Sequence, residues 1–96
     1  MLFVVIGQDR PGALEARLAA RPDHLAHWQS LGERLKLAGP FLDENGSPCG
    51  SLIIIDVDDG AEANRLADAD PYVTSAVFAS KSVQRWNWAI NPPEGD

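Results

Sequence analysis

The sequence predicts an α+β domain in which four antiparallel strands form one sheet and the helices pack on one of its faces. Apolar, β-branched runs and helical segments follow one another in the order β, α (in two pieces), β, β, α, β. An Asn-Gly pair, favoured in tight hairpin turns, lies between the second and third strands. The length of 96 residues leaves room for one modest core. This order of elements is the ferredoxin-like one.

The first half of the chain begins with a buried strand over Leu2–Gly7. A short helix is predicted over Ala13–Ala20, and Pro22 interrupts it because proline disfavours helical geometry in the residue before it. A second helix is predicted over Asp23–Ala38. Gly39-Pro40 ends that helix, since glycine suits a C-terminal cap and proline cannot continue the helix.

The second half supplies the remaining strands and the other helix. The second strand begins at Phe41-Leu42, and four further elements follow: a strand over Cys49–Asp56, a helix over Ala61–Ala69, a short turn or helix from Asp70 through Val73, and a strand over Ala76–Trp88. We expect one domain over residues 1–90 and a mobile tail over residues 91–96.

Charge and cysteine content exclude several classes of function. The net charge is −6 and the eight Lys and Arg residues are scattered, which argues against binding to nucleic acid or to an anionic membrane. The apolar start is too short for a signal peptide or a membrane span, so a cytoplasmic location is expected. The single cysteine, Cys49, excludes an intrachain disulfide and a cysteine-based zinc site.

His24 lies on the apolar stripe of the predicted second helix. At about 100° per residue, one side of that helix collects four apolar residues: Trp28, Leu31, Leu35 and Ala38. His24 falls near the middle of this stripe, where an unpaired polar group costs roughly 1–3 kcal/mol. His24 therefore needs a partner, either as a satisfied core histidine or as an acid–base residue.

Asp70 is the candidate partner. Asp70-Pro71 also has the form of a helix N-cap followed by proline at the first helical position, which requires no function. In the functional interpretation, Asp70 orients the imidazole of His24 and supports its protonated form. His27 forms an H-x-x-H pair with His24, but zinc would need a third protein ligand. We therefore expect His27 at the surface and no metal.

The first and third strands are apolar on both of their faces. An antiparallel sheet with one solvated face should alternate apolar and polar residues, and Leu2–Ile6 and Leu52–Ile55 do not. The helices of this chain can cover only one face. A second copy of the chain is the simplest cover for the other face, so the sequence predicts a homodimer with sheets packed face to face.

The chain resembles the YciI-like family, whose members carry a YCII-related domain. The resemblance rests on the opening LFVVIGQDRPGALEARLAARPDHLAHW, LAGP at Leu37–Pro40, NGSPCGSLIII around the hairpin and ADADPYVTSAVF at Ala67–Phe78. The R-P-x-H element at Arg21–His24 and the D-P-Y element at Asp70–Tyr72 are the specific parts.

This resemblance implies a ferredoxin-like fold that pairs into a dimeric α+β barrel, with an active site centred on His24 and Asp70. Some relatives act in chloroaromatic breakdown, where they are associated with dehydrochlorination of a small hydroxylated ring compound. The wider dimeric barrel class includes lactone isomerases and monooxygenases.

Three functional hypotheses follow. In the first, the chain is a cofactor-independent lyase or isomerase acting on a small organic molecule, with His24 moving a proton and Asp70 orienting it. Tyr72 and Ser51 would border the pocket, and Arg21 would neutralise an anionic substrate or form an exposed salt bridge. The second hypothesis is a ligand-binding or sensing dimer without turnover. In the third, His24 and Asp70 are a purely structural pair.

Overall fold

A computed structural model describes residues 1–94 of the chain. The elements follow in the order β1 (Leu2–Asp9), α1 (Leu14–Gln29), a single 3₁₀ turn (Gly32–Arg34), β2 (Leu35–Leu42), β3 (Pro48–Asp56), α2 (Gly60–Asp68), α3 (Pro71–Thr74) and β4 (Phe78–Arg85). The four strands form one antiparallel sheet in the order β2-β3-β1-β4. The predicted ferredoxin-like α+β fold is confirmed.

Both long helices pack on one face of the sheet. Phe3 and Val5 of β1 lie opposite Ile55 and Ile53 of β3 and point to the same side. The buried core on that side also includes residues of both helices: Trp28 of α1, and Ala63 and Ala67 of α2. The core therefore lies between this face and the two helices.

The opposite face of the sheet is apolar in its centre. Val4 lies opposite Ile54, and Ile6 lies opposite Leu52, so these four side chains share one face. Leu37 of the edge strand β2, opposite Ile54, is 39% exposed. We call this surface, formed by Val4, Ile6, Leu37, Leu52 and Ile54, the open face. No helix of the described chain contributes to a core on it.

The helical region is organised differently from the prediction. One continuous helix, α1, replaces the two predicted pieces and contains Pro22 in its interior. Pro22 cannot donate a hydrogen bond to the carbonyl of Leu18, and Leu18 lies on the exposed side of the helix, where water can take that role. The expected break at Pro22 is therefore wrong.

The predicted extension of the helix to Ala38 is also wrong. The helix ends at Gln29, and Gly32 follows with φ of +60°, a left-handed conformation that stops a helix. Leu35 and Ala38 belong to β2, as do Gly39 and Pro40, which were expected to end the helix. Proline is tolerated there because β2 is an edge strand.

The last strand is shorter than the predicted Ala76–Trp88. It begins at Phe78, after a left-handed residue at Ala76 with φ of +56°, and ends at Arg85. Trp86 and Trp88 lie beyond it, with ring centroids 5.5 Å apart. Of the predicted tail, residues 91–94 contain no helix or strand, while Gly95 and Asp96 lie outside the described residues. No helix within residues 1–94 is long and apolar enough to cross a membrane.

Candidate functional site

The fold brings His24 and Asp70 into direct contact. His24 lies on α1 and Asp70 is the N-cap residue of α3, and 2.8 Å separates the Nδ1 atom of His24 from the Oδ1 atom of Asp70. Asp70 is 1% exposed and His24 is 8% exposed. The pair is thus a buried one, and it lies where the first turn of a short helix meets the long helix.

Asp70 accepts hydrogen bonds at both of its carboxylate oxygens. Oδ1 accepts from His24 and from the backbone N–H of Tyr72 at 2.9 Å, and Oδ2 accepts from the indole N–H of Trp28 at 2.9 Å. Burial alone would raise the pKa of Asp70, but the hydrogen bonds from His24, Tyr72 and Trp28 together hold the pKa below its ordinary value. Asp70 is therefore an ionised carboxylate at neutral pH and is held in one orientation.

The charge on Asp70 determines which nitrogen of His24 carries the proton. An ionised carboxylate only accepts hydrogen bonds, so the Nδ1 atom of neutral His24 must be the protonated one. Nε2 then has a free lone pair. Within residues 1–94, Nε2 makes no hydrogen bond. Every fully buried side-chain nitrogen or oxygen atom in these residues does have a hydrogen-bond partner. Nε2 is therefore not fully buried and is accessible to solvent.

Tyr72 fixes the plane of the His24 ring. The two rings are stacked, with centroids 3.8 Å apart and planes inclined by 13°. Burial raises the pKa of Tyr72, against the opposing effect of the Arg17 and Arg21 charges, so Tyr72 stays a neutral phenol at physiological pH. Its backbone amide is also bound to Asp70. Tyr72 therefore orients His24 through both its ring and its main chain.

Arg17 ties the same region to the sheet, and the sequence reasoning missed it. Its NH1 group donates to Asp9 at 2.8 Å, and its NH2 group donates to the carbonyl of Gly50 at 2.9 Å and to the hydroxyl of Ser51 at 2.6 Å. The guanidinium carbon lies 4.5 Å from the centroid of the Tyr72 ring. Arg17 thus connects α1 to the ends of β1 and β3 beside the His24 stack.

A sequence signal for Arg17 exists, but it depends on a continuous helix. Arg17, Arg21 and His24 are spaced i, i+4 and i+7, which places them on one face of a single helix. The assumed break at Pro22 removed this relation. For this reason Arg17, which links α1 to the sheet, was not predicted as a site residue.

A cavity of about 200 Å³ lies beside these residues. Its wall comprises two arginines, two predicted site residues with hydroxyl groups, His24, and a set of apolar and glycine residues: Arg17, Arg21, Ser51, Tyr72, His24, Leu18, Leu25, Ala38, Gly39, Pro40, Pro48 and Ile53. Ser51 is a buried residue of β3 and lies opposite Pro40 of β2. Four of the five predicted site residues border this cavity, and Asp70 lies behind His24.

His27 takes no part in this cavity. Its Nε2 atom lies 2.8 Å from the carbonyl oxygen of Leu66, which links α1 to α2. His27 is half-buried rather than a free surface residue. Within residues 1–94, no group of three or more His, Cys, Asp or Glu residues is arranged to hold a metal ion.

Curated proteins from several bacteria are similar to this chain. The chain is 40% identical over 92 residues to Protein YciI of Escherichia coli O6:H1, covering 88% of this chain and 94% of the relative. It has the same identity and coverage with Protein YciI of Shigella flexneri. A protein of Haemophilus influenzae is 39% identical over 92 residues, with the same shares of the two chains covered.

Solved structures share the fold. The 5-chloro-2-hydroxyhydroquinone dehydrochlorinase TftG of Burkholderia phenoliruptrix AC1100, in complex with 2,5-dihydroxybenzoquinone, superposes with a TM-score of 0.83 at 29% identity, covering 91% of this chain and 94% of that one. An antibiotic biosynthesis monooxygenase superposes with a TM-score of 0.55 at 14% identity, covering 91% and 97%, which is a likeness of fold alone. A family model for the YCII-related domain matches residues 1–87. The chain therefore belongs to the YCII-related domain family.

Proposed function

We propose that this chain is a cofactor-independent enzyme of the lyase or isomerase type, in which His24 transfers a proton to and from a small organic molecule. One observation carries the proposal: Nδ1 of His24 lies 2.8 Å from a buried carboxylate, while Nε2 is accessible and the residue borders a cavity. A histidine held in this way can act as a general base through Nε2 and as a general acid afterwards. Such help is worth on the order of 10²–10⁴ in rate.

Each neighbour of His24 has a part in this proposal. Asp70 fixes the tautomer and stabilises the imidazolium that forms when Nε2 takes a proton. Trp28 and the Tyr72 amide prevent Asp70 from rotating away, since each donates a further hydrogen bond to its carboxylate. Tyr72 and Ser51 border the cavity and contact the substrate.

The reaction we favour is an elimination on a hydroxylated ring. His24 removes a proton from the substrate, the released electron pair forms a new π bond, and a leaving group departs as an anion. The atoms and electrons balance without an oxidant or a reductant. The dehydrochlorinase that shares this fold at 29% identity supports the choice, and its bound 2,5-dihydroxybenzoquinone is a single small ring.

A turnover assay tests the proposal. The chain is incubated with 5-chloro-2-hydroxyhydroquinone without oxygen, and released chloride and quinone absorbance are followed. We expect turnover in the wild type and its loss in His24→Asn, because the amide N–H₂ can still donate to Asp70 but no base remains. His27→Asn is the matched control, since His27 lies on the same helix but outside the cavity.

The outcomes separate the three hypotheses. Undiminished turnover in His24→Asn would reject the catalytic role of His24. No product from a panel of hydroxylated rings, together with a thermal shift on binding, would favour the ligand-binding or sensing alternative. Neither turnover nor binding, with a lowered melting temperature in His24→Asn, would leave the pair purely structural.

We also propose that two copies pack through the open face. Val4, Ile6 and Leu52 present half-buried apolar side chains there beside the buried Ile54, and both long helices lie on the other side of the sheet. A contiguous apolar surface of this kind is typical of an interface. Sedimentation at micromolar concentration should give a dimer, and a wild-type chain that sediments only as a monomer would reject this pairing. The cytoplasmic location and the single domain over residues 1–90 stay predictions.

A further inference from the structure

Charge is distributed unevenly around the cavity. The chain as a whole carries a net charge of −6, with fourteen acidic and eight basic residues. The cavity wall nevertheless includes Arg17 and Arg21, and none of its residues is Asp or Glu. A positively charged wall in an acidic protein indicates that the cavity receives negative charge.

The guanidinium group of Arg17 already binds other residues of the chain. It forms a buried ion pair with Asp9, with side chains 5% and 7% exposed, and its other amino group binds Gly50 and Ser51. Its charge is thus largely balanced. Because Arg17 already donates to the hydroxyl oxygen of Ser51, the Ser51 O–H remains free to donate toward the cavity it borders.

The guanidinium group of Arg21 has no comparable contacts within the described residues. It borders the cavity one turn of α1 after Arg17 and three residues before His24. Among residues 1–94 it makes no hydrogen bond and no ion pair. The two carboxylates that pair with residues of the cavity wall are occupied, Asp9 by Arg17 and Asp70 by His24, and neither borders the cavity.

The rest of the wall limits the size and nature of the ligand. Apolar side chains of Leu18, Leu25, Pro40, Pro48 and Ile53 face the cavity. Its volume is about 200 Å³, whereas an apolar cavity of about 150 Å³ is enough for benzene. One ring with a few substituents therefore fits this volume.

We propose that the site selects a small organic anion, one ring in size, whose ionised oxygen pairs with the guanidinium of Arg21. This inference rests on the proposed function and names the substrate class for the same cavity. The planar guanidinium presents paired N–H donors that match a carboxylate or an ionised hydroxyl. The apolar body of the ligand then lies against the aliphatic wall, with the reacting position toward Nε2 of His24.

A pair of probes of equal shape and different charge tests this inference. Benzoate and benzamide are titrated into the full chain, and binding is followed by ¹H–¹⁵N correlation spectra. We expect wild type to bind benzoate about tenfold or more tightly than benzamide, a difference of roughly 1.4 kcal/mol. Arg21→Gln should bring the ratio of the two dissociation constants close to one.

Arg65→Gln is the control, because Arg65 is exposed on α2 and does not border the cavity. It should leave the ratio unchanged. Equal binding of both probes, binding of neither, or a ratio that persists in Arg21→Gln would each overturn the inference.

The test also separates this inference from the proposed function. His24→Asn should keep the preference for benzoate while it loses turnover, because Arg21 is intact. Turnover of the chlorinated hydroquinone without any preference for benzoate would reject the anion selectivity alone. A preference that depends on Arg21, without turnover of any ring compound, would reject the catalytic proposal alone.

Discussion

Replacement of Asp70 by Asn tests the central hydrogen-bond network without changing the size of the side chain. The carboxylate accepts three hydrogen bonds, at 2.8 Å from His24 and at 2.9 Å from both the Tyr72 amide and the Trp28 indole. An Asn side chain has one oxygen and one N–H₂ group. With the oxygen kept toward His24 and Tyr72, the N–H₂ group faces the Trp28 N–H, and two donors oppose each other.

The expected loss of stability follows from these contacts. A buried donor left without an acceptor costs roughly 1–3 kcal/mol. The two remaining bonds change from charged to neutral acceptors, which costs about 1 kcal/mol each. Relief of the buried charge offsets part of this. We expect Asp70→Asn to lower the free energy of unfolding by about 2–4 kcal/mol, which for a domain of this size lowers the melting temperature by roughly 10–25 °C.

Urea denaturation at pH 7 and fixed protein concentration measures this loss. Asp68→Asn is the matched control, since the Asp68 side chain is 62% exposed and its ion pair with Lys81 lies at the surface. It should cost less than about 1 kcal/mol. A similar small cost in Asp70→Asn would refute the argument that a buried carboxylate with three hydrogen-bond donors organises the site.

A double-mutant cycle locates the effect in the Trp28 bond. Trp28→Phe removes the indole N–H and keeps an aromatic ring in the core. In the Asp70→Asn background that donor has already lost its acceptor, so its removal should cost less than in wild type. We expect a coupling energy of about 1 kcal/mol or more. A coupling near zero would show that Trp28 does not hold Asp70.

Three further measurements test other parts of the structure. Burial raises the pKa of Asp70 but its hydrogen bonds outweigh this and lower it, so its contribution to stability should be complete above about pH 4 and be lost as pH falls through the folded-state pKa. The acid limb of a plot of urea midpoint against pH should therefore be flatter in Asp70→Asn. Gly50→Ala should destabilise by about 1–3 kcal/mol, because the added Cβ would lie 2.7 Å from the Gly7 carbonyl oxygen, whereas Gly39→Ala meets nothing within 4 Å and should be nearly neutral. Val4→Lys on the open face should shift sedimentation from dimer to monomer, and an unchanged dimer would exclude this face as the interface.

The sequence predicted β1, β3, the hairpin between β2 and β3 and the burial of His24 because these features depend on local chemistry, whereas the resemblance to the YciI-like family implied the pairing of His24 with Asp70. β-branched runs and the Asn-Gly turn define β1, β3 and the hairpin. The placement of His24 one turn before Trp28 correctly predicted that both are buried. These features follow from side-chain type and spacing, which a single sequence displays directly.

The helix boundaries could not be predicted in the same way. They depend on whether the free energy gained by packing in the folded chain exceeds the local cost of a proline or a glycine, and a single sequence does not show this. Pro22 costs one backbone hydrogen bond, but burial of His24 and Trp28 on the same helix outweighs that loss. Gly32 ends the helix by its positive φ, although glycine within a helical pattern is often tolerated. Because a helix break was predicted at Pro22, the sequence did not reveal that Arg17 and His24 lie on the same face of one helix.

The two roles considered for Asp70, N-cap of a helix and partner of His24, do not exclude each other. The Oδ1 atom of Asp70 accepts from the Tyr72 amide as the N-cap of α3 and also from His24. The helix α3 has only four residues, far too few to be stable alone, so this cap and its packing must fix it. Capping α3 also fixes Tyr72, whose ring stacks on His24. One carboxylate thereby sets the tautomer of the imidazole and holds the aromatic ring that fixes its plane, so loss of Asp70 should disorder both contacts at once.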